Sequence, residues 1–320
     1  MSYAMKPLVV VVVGPTASGK TALSIELAKR FDGEIVSADS MQIYKGMNVG
    51  TAKPSIEERC GIPHHLLDFL EPTEEYTLKQ YLDDANRCIE AILDRGRLPI
   101  LAGGTGLYVS SLLDNLTLND EESDPDYRNY LENEYDTFGG ETMLSRLAEI
   151  DPALAKKLHA KDRKRILRGL EVFHNTGITQ SEHNRLAKQF ESPYEFLCFG
   201  LTAADRAYLY DRIDKRVLTM MERGLLEEAR ILRTMPLSKT ARQAIGYRQF
   251  EGYFAGESTL EEAVAQIQKE SRNYAKRQLT WFRRDPRILW YRIDEDNFDN
   301  ILNSCCERIA KYGKVCYNMV

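Results

Sequence analysis

The first strong pattern along the chain is a run of five valines, Val9–Val13, continuous and β-branched, which reads as a strand buried on both faces. It is followed by helix-spaced apolar positions at Leu23, Ile25, Leu27 and Ala28 between Lys20 and Arg30. A second strand is expected at Glu34–Ser40, and Gly61–Asp68 leads into a short strand or loop. Between them Met41–Lys53 is irregular and punctuated by glycines, the composition of a functional loop. Leu78, Tyr81, Leu82, Ala85, Cys88, Ile89 and Ile92 place a helix over Thr77–Arg95, with Thr77 as N-cap and Gly96 beyond its end. Leu98–Ala102 is again a buried strand. Strands alternating with helices define βαβ units and a mainly parallel sheet. From about Ser123 to Gln189 the period is helical throughout, broken at Pro125, Gly139-Gly140, Pro152 and Gly177. Strand character returns at Glu195–Leu201 and Arg287–Ile293, with helical stretches at Asp205–Thr234 and Leu260–Arg284. The expected organisation is an α/β core in two parts, residues 1–122 and 193–320, interrupted by an all-helical insertion at 123–192.

Composition sets limits on this picture. The chain has 320 residues, 43% of them hydrophobic, as in soluble globular proteins. No apolar run reaches the length of a membrane span, and the opening MSYAMKP lacks a signal peptide's layout, so the expected compartment is the cytoplasm. The six cysteines show no C-x-x-C pair and no zinc spacing with histidine; they read as reduced and structural. The formal net charge of −5 argues against a nucleic-acid coat protein. Charge is nevertheless segregated. Asn119–Asp126 is acidic, while Ala155–Arg168 and Lys269–Arg292 are strongly basic. A local basic face on an acidic protein still docks a phosphate backbone.

The valine strand ends in Gly14-x-x-x-x-Gly19-Lys20-Thr21, the phosphate-loop pattern. Gly14 and Gly19 let backbone N–H groups curl round a polyphosphate, and the following helix N-terminus adds a positive dipole end. Lys20 supplies a point charge, and the Thr21 hydroxyl is a magnesium ligand candidate. Phosphate-loop kinases and ATPases hold their metal with an acidic residue at the end of a later apolar strand. Here Leu98–Ala102 ends in Gly103-Gly104, and the acidic residue stands at the end of the second strand, at Asp39. That arrangement suits some small-molecule kinases. It equally suits an enzyme in which Asp39 takes a proton from a nucleophile attacking a pyrophosphate ester, or a role for Asp39 as an outer magnesium group or helix cap.

The segments GPTASGKT at 14–21, SADSMQIYKG at 37–46, GTAKPS at 50–55, PHHLLD at 63–68 and GGTGLY at 103–108 together resemble the tRNA dimethylallyltransferase (tRNA isopentenyltransferase) family. The resemblance continues through 158–177, RQAIGYRQ at 242–249 and KRQLTWFR at 276–283, spanning nearly the whole chain in the family's order. It implies a P-loop NTPase-like fold and a bacterial-type enzyme, monomeric and without the C-terminal zinc finger of eukaryotic members. The implied reaction moves a dimethylallyl group from dimethylallyl pyrophosphate to N6 of the adenosine 3′ of the anticodon, in tRNAs reading codons that begin with U. It further implies a pyrophosphate and magnesium site formed by Gly14, Pro15, Thr16, Ala17, Ser18, Gly19, Lys20 and Thr21, with Asp39 as base and Thr105 and Arg216 as further catalytic residues. Asp39, Ser40, Met41 and Gln42 would meet the target base, Gln42 through its two-sided amide. Thr105, Arg128, the run Arg163, Lys164, Arg165, Ile166, Leu167 and the run Arg242, Gln243, Ala244, Ile245, Gly246, Tyr247 match positions that contact the anticodon stem-loop. Two departures stand beside these contacts: Ala160 where many members have Pro, and Gly169 where Ala is usual. The rivals are an adenylate isopentenyltransferase acting on free AMP or ADP, a small-molecule kinase, and a non-catalytic tRNA-binding protein.

Overall fold

The computed structural model describes residues 6–116, 124–186 and 191–317. The 122/123 boundary, Gln189, most of the acidic stretch, the opening MSYAM and the Cys316 side chain lie outside the described residues. The chain divides into two compact units, one formed by Met1–Leu112 with Pro193–Val320 and the other by Leu113–Ser192.

In the first unit the elements are β1 (Leu8–Val13), α1 (Lys20–Arg30), β2 (Gly33–Ser37), β3 (His64–His65), α2 (Leu78–Asp94), β4 (Leu98–Gly103) and α3, which starts at Gly106. The second unit holds α4 (Pro125–Ile150), α5 (Pro152–Ala155), α6 (Arg163–Thr176) and α7 (Gln180–Leu186). The first unit then resumes with β5 (Glu195–Thr202), α8 (Arg206–Glu222), α9 (Leu225–Arg233), the single turn α10 (Glu251–Phe254), α11 (Leu260–Phe282), β6 (Ile288–Arg292) and α12 (Phe298–Tyr317).

The sheet runs β3-β2-β4-β1-β5-β6, and every pairing is parallel. The valine strand β1 is central, which is why it carries no polar face: Val9–Val13 are fully buried. Its neighbours end level with it, Val13 opposite Gly103 of β4 and Gly200 of β5. One core packs α1 and α12 against the sheet through Leu23, Leu27, Ile301, Leu302 and Cys305. Cys305 of the vicinal pair is thus a core residue, and burial pushes its thiol up to about 12.

Local rules account for the boundaries. Thr77 and Gln80 close a capping box at the start of α2, and Gly96 beyond its end has φ +70°. The second strand stops at Ser37, short of the expected Ser40, because the chain there turns across the sheet edge. The helical stretch 205–234 breaks into α8 and α9 at Gly224, where φ is +94°. α12 carries its own apolar stripe, Ile301, Leu302, Cys305 and Ile309, in the core beneath the sheet.

The second unit is all α. Its core is Leu131, Met143, Leu147, Ala155, Ile166, Leu167 and Leu170. Gly139 kinks α4 at φ +79°. Both departures from the family pattern have a packing counterpart here. Tyr135 donates to the Ala160 carbonyl at 2.6 Å, and at Gly169 a methyl would meet Leu147 Cδ1 at 2.8 Å and Leu154 Cδ2 at 2.9 Å, space the leucines already fill.

Candidate active site

Three turns meet at the carboxyl ends of β1, β2 and β4, the place where open α/β sheets bind ligands. The first is the phosphate loop. Gly14 sits at φ +148° with no room for a side chain, since a Cβ would lie 2.5 Å from the Leu201 carbonyl oxygen. Ala17 and Gly19 also take positive φ, 62° and 91°, which curls the loop into a nest of N–H groups ahead of α1. Lys20 folds back, its Nζ donating to the Pro15 carbonyl at 2.7 Å.

The second turn follows β2. The Ala38 N–H donates to Ala102 O at 2.8 Å and the Ala38 carbonyl accepts from Thr105 N at 3.0 Å, so the chain crosses directly over the end of β4. A Cβ at Gly103 would stand 2.1 Å from Ala38 O. The acidic residue that phosphate-loop kinases carry after the strand beside β1 therefore has no room here. The carboxylate enters one strand further over, at Asp39. Asp39 Oδ1 accepts from Met41 N at 2.9 Å, an Asx-type turn that orients the carboxylate. Ser40 N donates to Thr105 Oγ1 at 2.9 Å, and Thr105 Oγ1 in turn donates to Ser40 Oγ at 3.2 Å. Thr105 is thus joined to the residue after the carboxylate.

These turns line a cavity of about 1100 Å³ together with α8 and α11. α8 faces it with Arg212, Lys215, Arg216 and Thr219, followed by Arg223 at its C-cap, and α11 with Ile267, Ser271, Tyr274, Arg277 and Gln278. Both sets recur at helical spacing, a signal present in the sequence but masked by ordinary surface charge. Only Arg216 was singled out from the sequence.

The electrostatics fit an anion site. Burial, and then the charge of Arg216, lower the Lys20 pKa to about 7, while Asp39 acts in the opposite sense. Arg216 is pushed below the ordinary guanidinium range by burial, with Asp39 opposing, and its Nε is buried without a hydrogen-bond partner. The Ser18 hydroxyl is likewise buried and unpartnered. Two cations and two unsatisfied polar groups beside a nest of N–H groups is an arrangement that an anionic ligand completes. For magnesium, the Thr21 hydroxyl and the Asp39 carboxylate both line the cavity and are hard oxygen donors. No cluster of three or more His, Cys, Asp or Glu side chains exists among the described residues. Such a sparse donor set matches magnesium held jointly with substrate phosphates rather than by a protein cage.

Other sequence candidates are placed as follows. Met41 and Gln42 line the cavity, but the Gln42 amide nitrogen donates to Thr51 O at 3.1 Å and Ala52 O at 3.3 Å, so its NH₂ is engaged by the loop 51–52 instead of being open to a base. Gln243, Ala244 and Ile245 also line it. Tyr247 is buried and donates to Glu228 Oε1 at 2.8 Å, and Glu228 also accepts from the N–H groups of Asn48, Val49 and Gly50. Tyr247 is therefore part of the clamp on the loop 48–50 and has no free edge for RNA. Arg242 is exposed, and Gly246 carries φ +107°.

In the second unit Lys164 and Arg165 are exposed at the start of α6. Arg163 is tied to Asp136 and lies 4.9 Å from the Tyr135 ring, and Arg128 pairs with Glu132 and Glu171. Ile166 and Leu167 are fully buried in that unit's core, so their side chains serve packing rather than RNA contact, contrary to the expectation.

A parallel α/β sheet with a phosphate loop, a carboxylate two strands over and a cation-lined cavity defines an enzyme of the phosphate-ester-using class. The chain matches the family model "IPP transferase" over residues 42–285 and "Isopentenyl transferase" over residues 7–69. It is 45% identical to the tRNA dimethylallyltransferase of Carboxydothermus hydrogenoformans over 93% of this chain and 96% of that protein. It is 44% identical to that of Acetivibrio thermocellus over 95% and 98%. The full-length tRNA isopentenylpyrophosphate transferase of Bacillus halodurans superposes with a TM-score of 0.73 at 40% identity, covering 98% and 99% of the two chains. A eukaryotic dimethylallyltransferase solved acting on tRNA gives 0.75 at 31% identity, over 86% of this chain and 70% of that one. The chain belongs to the IPP transferase family, that of the tRNA dimethylallyltransferases.

Proposed function

We propose that this chain transfers a dimethylallyl group from dimethylallyl pyrophosphate to N6 of the adenosine 3′ of the anticodon, in tRNAs reading codons that begin with U, and releases pyrophosphate. Membership in the family supports the transfer to tRNA. The observation that carries the chemistry is the single cavity in which the phosphate loop, Lys20, Arg216 and Asp39 meet.

An exocyclic adenine amine is a weak nucleophile, because its lone pair is delocalised into the ring. Asp39 accepts the N6 proton as the new C–N bond forms, while the allylic C–O bond breaks and its electron pair leaves on the pyrophosphate. Lys20, Arg216 and the N–H groups of the loop hold that developing charge, aided by the N-terminus of α1. Thr105 fixes Ser40 and so the carboxylate beside it. Thr21 would hold magnesium together with the substrate phosphates, and the ion would further neutralise the leaving group. The target base must leave the anticodon-loop stack to reach the cavity. Lys164 and Arg165, exposed at the start of α6, would meet the RNA backbone; a free mononucleotide would not require them.

The test is incubation with labelled dimethylallyl pyrophosphate and magnesium, offering an anticodon stem-loop and AMP in parallel. Label in the stem-loop alone is expected. Label in AMP alone would identify an adenylate enzyme, and label in neither, with ATP turned over, would return the loop to a kinase.

A further inference from the structure

One cavity residue has a more specific position than any charge around it. Gln278 of α11 is 5% exposed, and both ends of its carboxamide are committed. Its Oε1 accepts the Thr16 N–H of the phosphate loop at 2.9 Å, and its Nε2 donates to the Gly104 carbonyl at 2.9 Å. The fit is close, since a Cβ on Gly104 would stand 2.2 Å from Gln278 Nε2.

The consequence concerns the anion. The donors of the nest run from Thr16, at the end remote from α1, to Lys20 and Thr21 at the helix N-terminus. With the Thr16 N–H held by Gln278, and the carboxamide itself standing at that end, the nest is shortened. The donors that remain lie nearer the helix. We infer that Gln278 is a positioning residue that sets the phosphate-chain length the loop accepts, admitting a diphosphate and disfavouring a triphosphate. This rests on the reading of a prenyl pyrophosphate as the donor. It accounts for how a loop pattern shared with ATP-using enzymes serves a diphosphate ester instead. It also assigns Gly104 a reason: any larger residue displaces the glutamine.

Inorganic pyrophosphate and inorganic tripolyphosphate, each with magnesium, are titrated into the full chain by calorimetry, for the wild type, Gln278→Leu and Gln278→Glu. The wild type binds pyrophosphate more tightly. In Gln278→Leu the freed Thr16 N–H becomes available to a third phosphate, and the affinity ratio moves toward tripolyphosphate by about tenfold, the low end for one hydrogen bond to a charged group. Gln278→Glu keeps an acceptor for the Thr16 N–H and adds a negative charge at the end a third phosphate would occupy, so it weakens both anions and moves the ratio further toward pyrophosphate. A ratio within twofold of wild type in a folded Gln278→Leu overturns the inference, as does a ratio moved toward tripolyphosphate in Gln278→Glu, which also decides the matter if the leucine variant does not fold. A wild type that transfers the prenyl label yet favours tripolyphosphate overturns the inference alone. One that neither transfers label nor binds pyrophosphate overturns the donor reading and the inference with it.

Discussion

Gly103→Ala isolates the packing that places the carboxylate. The added methyl would lie 2.1 Å from Ala38 O, 2.3 Å from its carbonyl carbon and 2.7 Å from its Cα. Ordinary contact starts at 3.4 Å, a deficit of about 1.3 Å against the carbonyl oxygen. All three atoms are backbone, and the two hydrogen bonds that flank them, Ala38 N to Ala102 O and Thr105 N to Ala38 O, resist a local shift. Overpacking costs about 1–3 kcal/mol where side chains give way, and a backbone contact falls at the upper end. At ~3 kcal/mol the melting temperature should fall by about 6–12 °C, on the scale of a domain of this size. The relief available to the chain is to move Ala38, and Asp39 follows it. A displacement near 1 Å at a reacting group lowers turnover by about 100-fold. Steady-state kinetics with a stem-loop acceptor should show kcat reduced on that scale, with stem-loop affinity by fluorescence anisotropy unchanged. Gly96→Ala is the control: its φ of +70° makes it strained too, but it lies at the end of α2, where no atom crowds the new methyl. It should lose stability and keep kcat. A Gly103→Ala enzyme that melts within 2 °C of wild type and turns over within threefold would refute the argument that this glycine positions Asp39.

Three further outcomes are expected. Asp39→Asn retains an oxygen for the Met41 N–H but not the base, so kcat should drop by about 10²–10⁴ with stem-loop affinity intact; lost affinity with normal turnover would remove Asp39 from the chemistry. Arg165→Glu should raise KM for tRNA and flatten its salt dependence, whereas Arg163→Glu, which breaks the Asp136 pair, should mainly lower the melting temperature; equal salt slopes for both would take α6 off the RNA footprint. Glu34 is buried, which raises its pKa, yet hydrogen bonds from Arg95, His65 and Arg97 outweigh burial and hold it down to about 2. A depressed carboxylate stabilises above its unfolded pKa, here 4.5, and loses that contribution as pH falls toward 2, so urea unfolding should show a decline of about 3 kcal/mol across that window that Glu34→Gln lacks.

Much of this was legible in the sequence for identifiable reasons. The valine run, the helical stripes and the capping residues are local signals, and the strands and helices fall where those signals put them. Asp39 was legible because a carboxylate following a short apolar strand lands at the ligand edge of an open sheet. What stayed hidden is non-local. Gln278 is one amide in a basic helix, and its contact with Thr16 spans 262 positions. Glu228 reads as an ordinary helix charge, yet it gathers three N–H groups of the loop 48–50. Ile166 and Leu167 sit inside a contiguous run whose RNA role comes from the family resemblance. The apolar members of an amphipathic helix turn inward while the charges turn out, so a contiguous run cannot be one surface.

The absence of an acidic residue after β4 now has a physical content. In a nucleotide-hydrolysing phosphate-loop enzyme, a carboxylate beside the loop serves the metal, and the attacking group approaches the terminal phosphorus. In the proposed reaction the electrophile is carbon on the far side of the bridging oxygen, which calls for a base that stands away from the phosphates and toward the acceptor. Closing β2 over Gly103 does both things in one step: it removes the space for a side chain beside the loop and delivers Asp39 to the next strand position, joined through Ser40 and Thr105. Gln278 acts at the other end of the same loop by withholding one of its donors. On the proposed reaction, the two features together would suit a phosphate-holding fold to keeping a diphosphate as leaving group, with the space beyond it left to an acceptor base. Gln278→Leu with Gly103 kept should therefore gain affinity for magnesium-ATP relative to wild type. Unchanged ATP affinity in the folded variant would mean that the Thr16 N–H held by Gln278 does not decide which anion the loop holds.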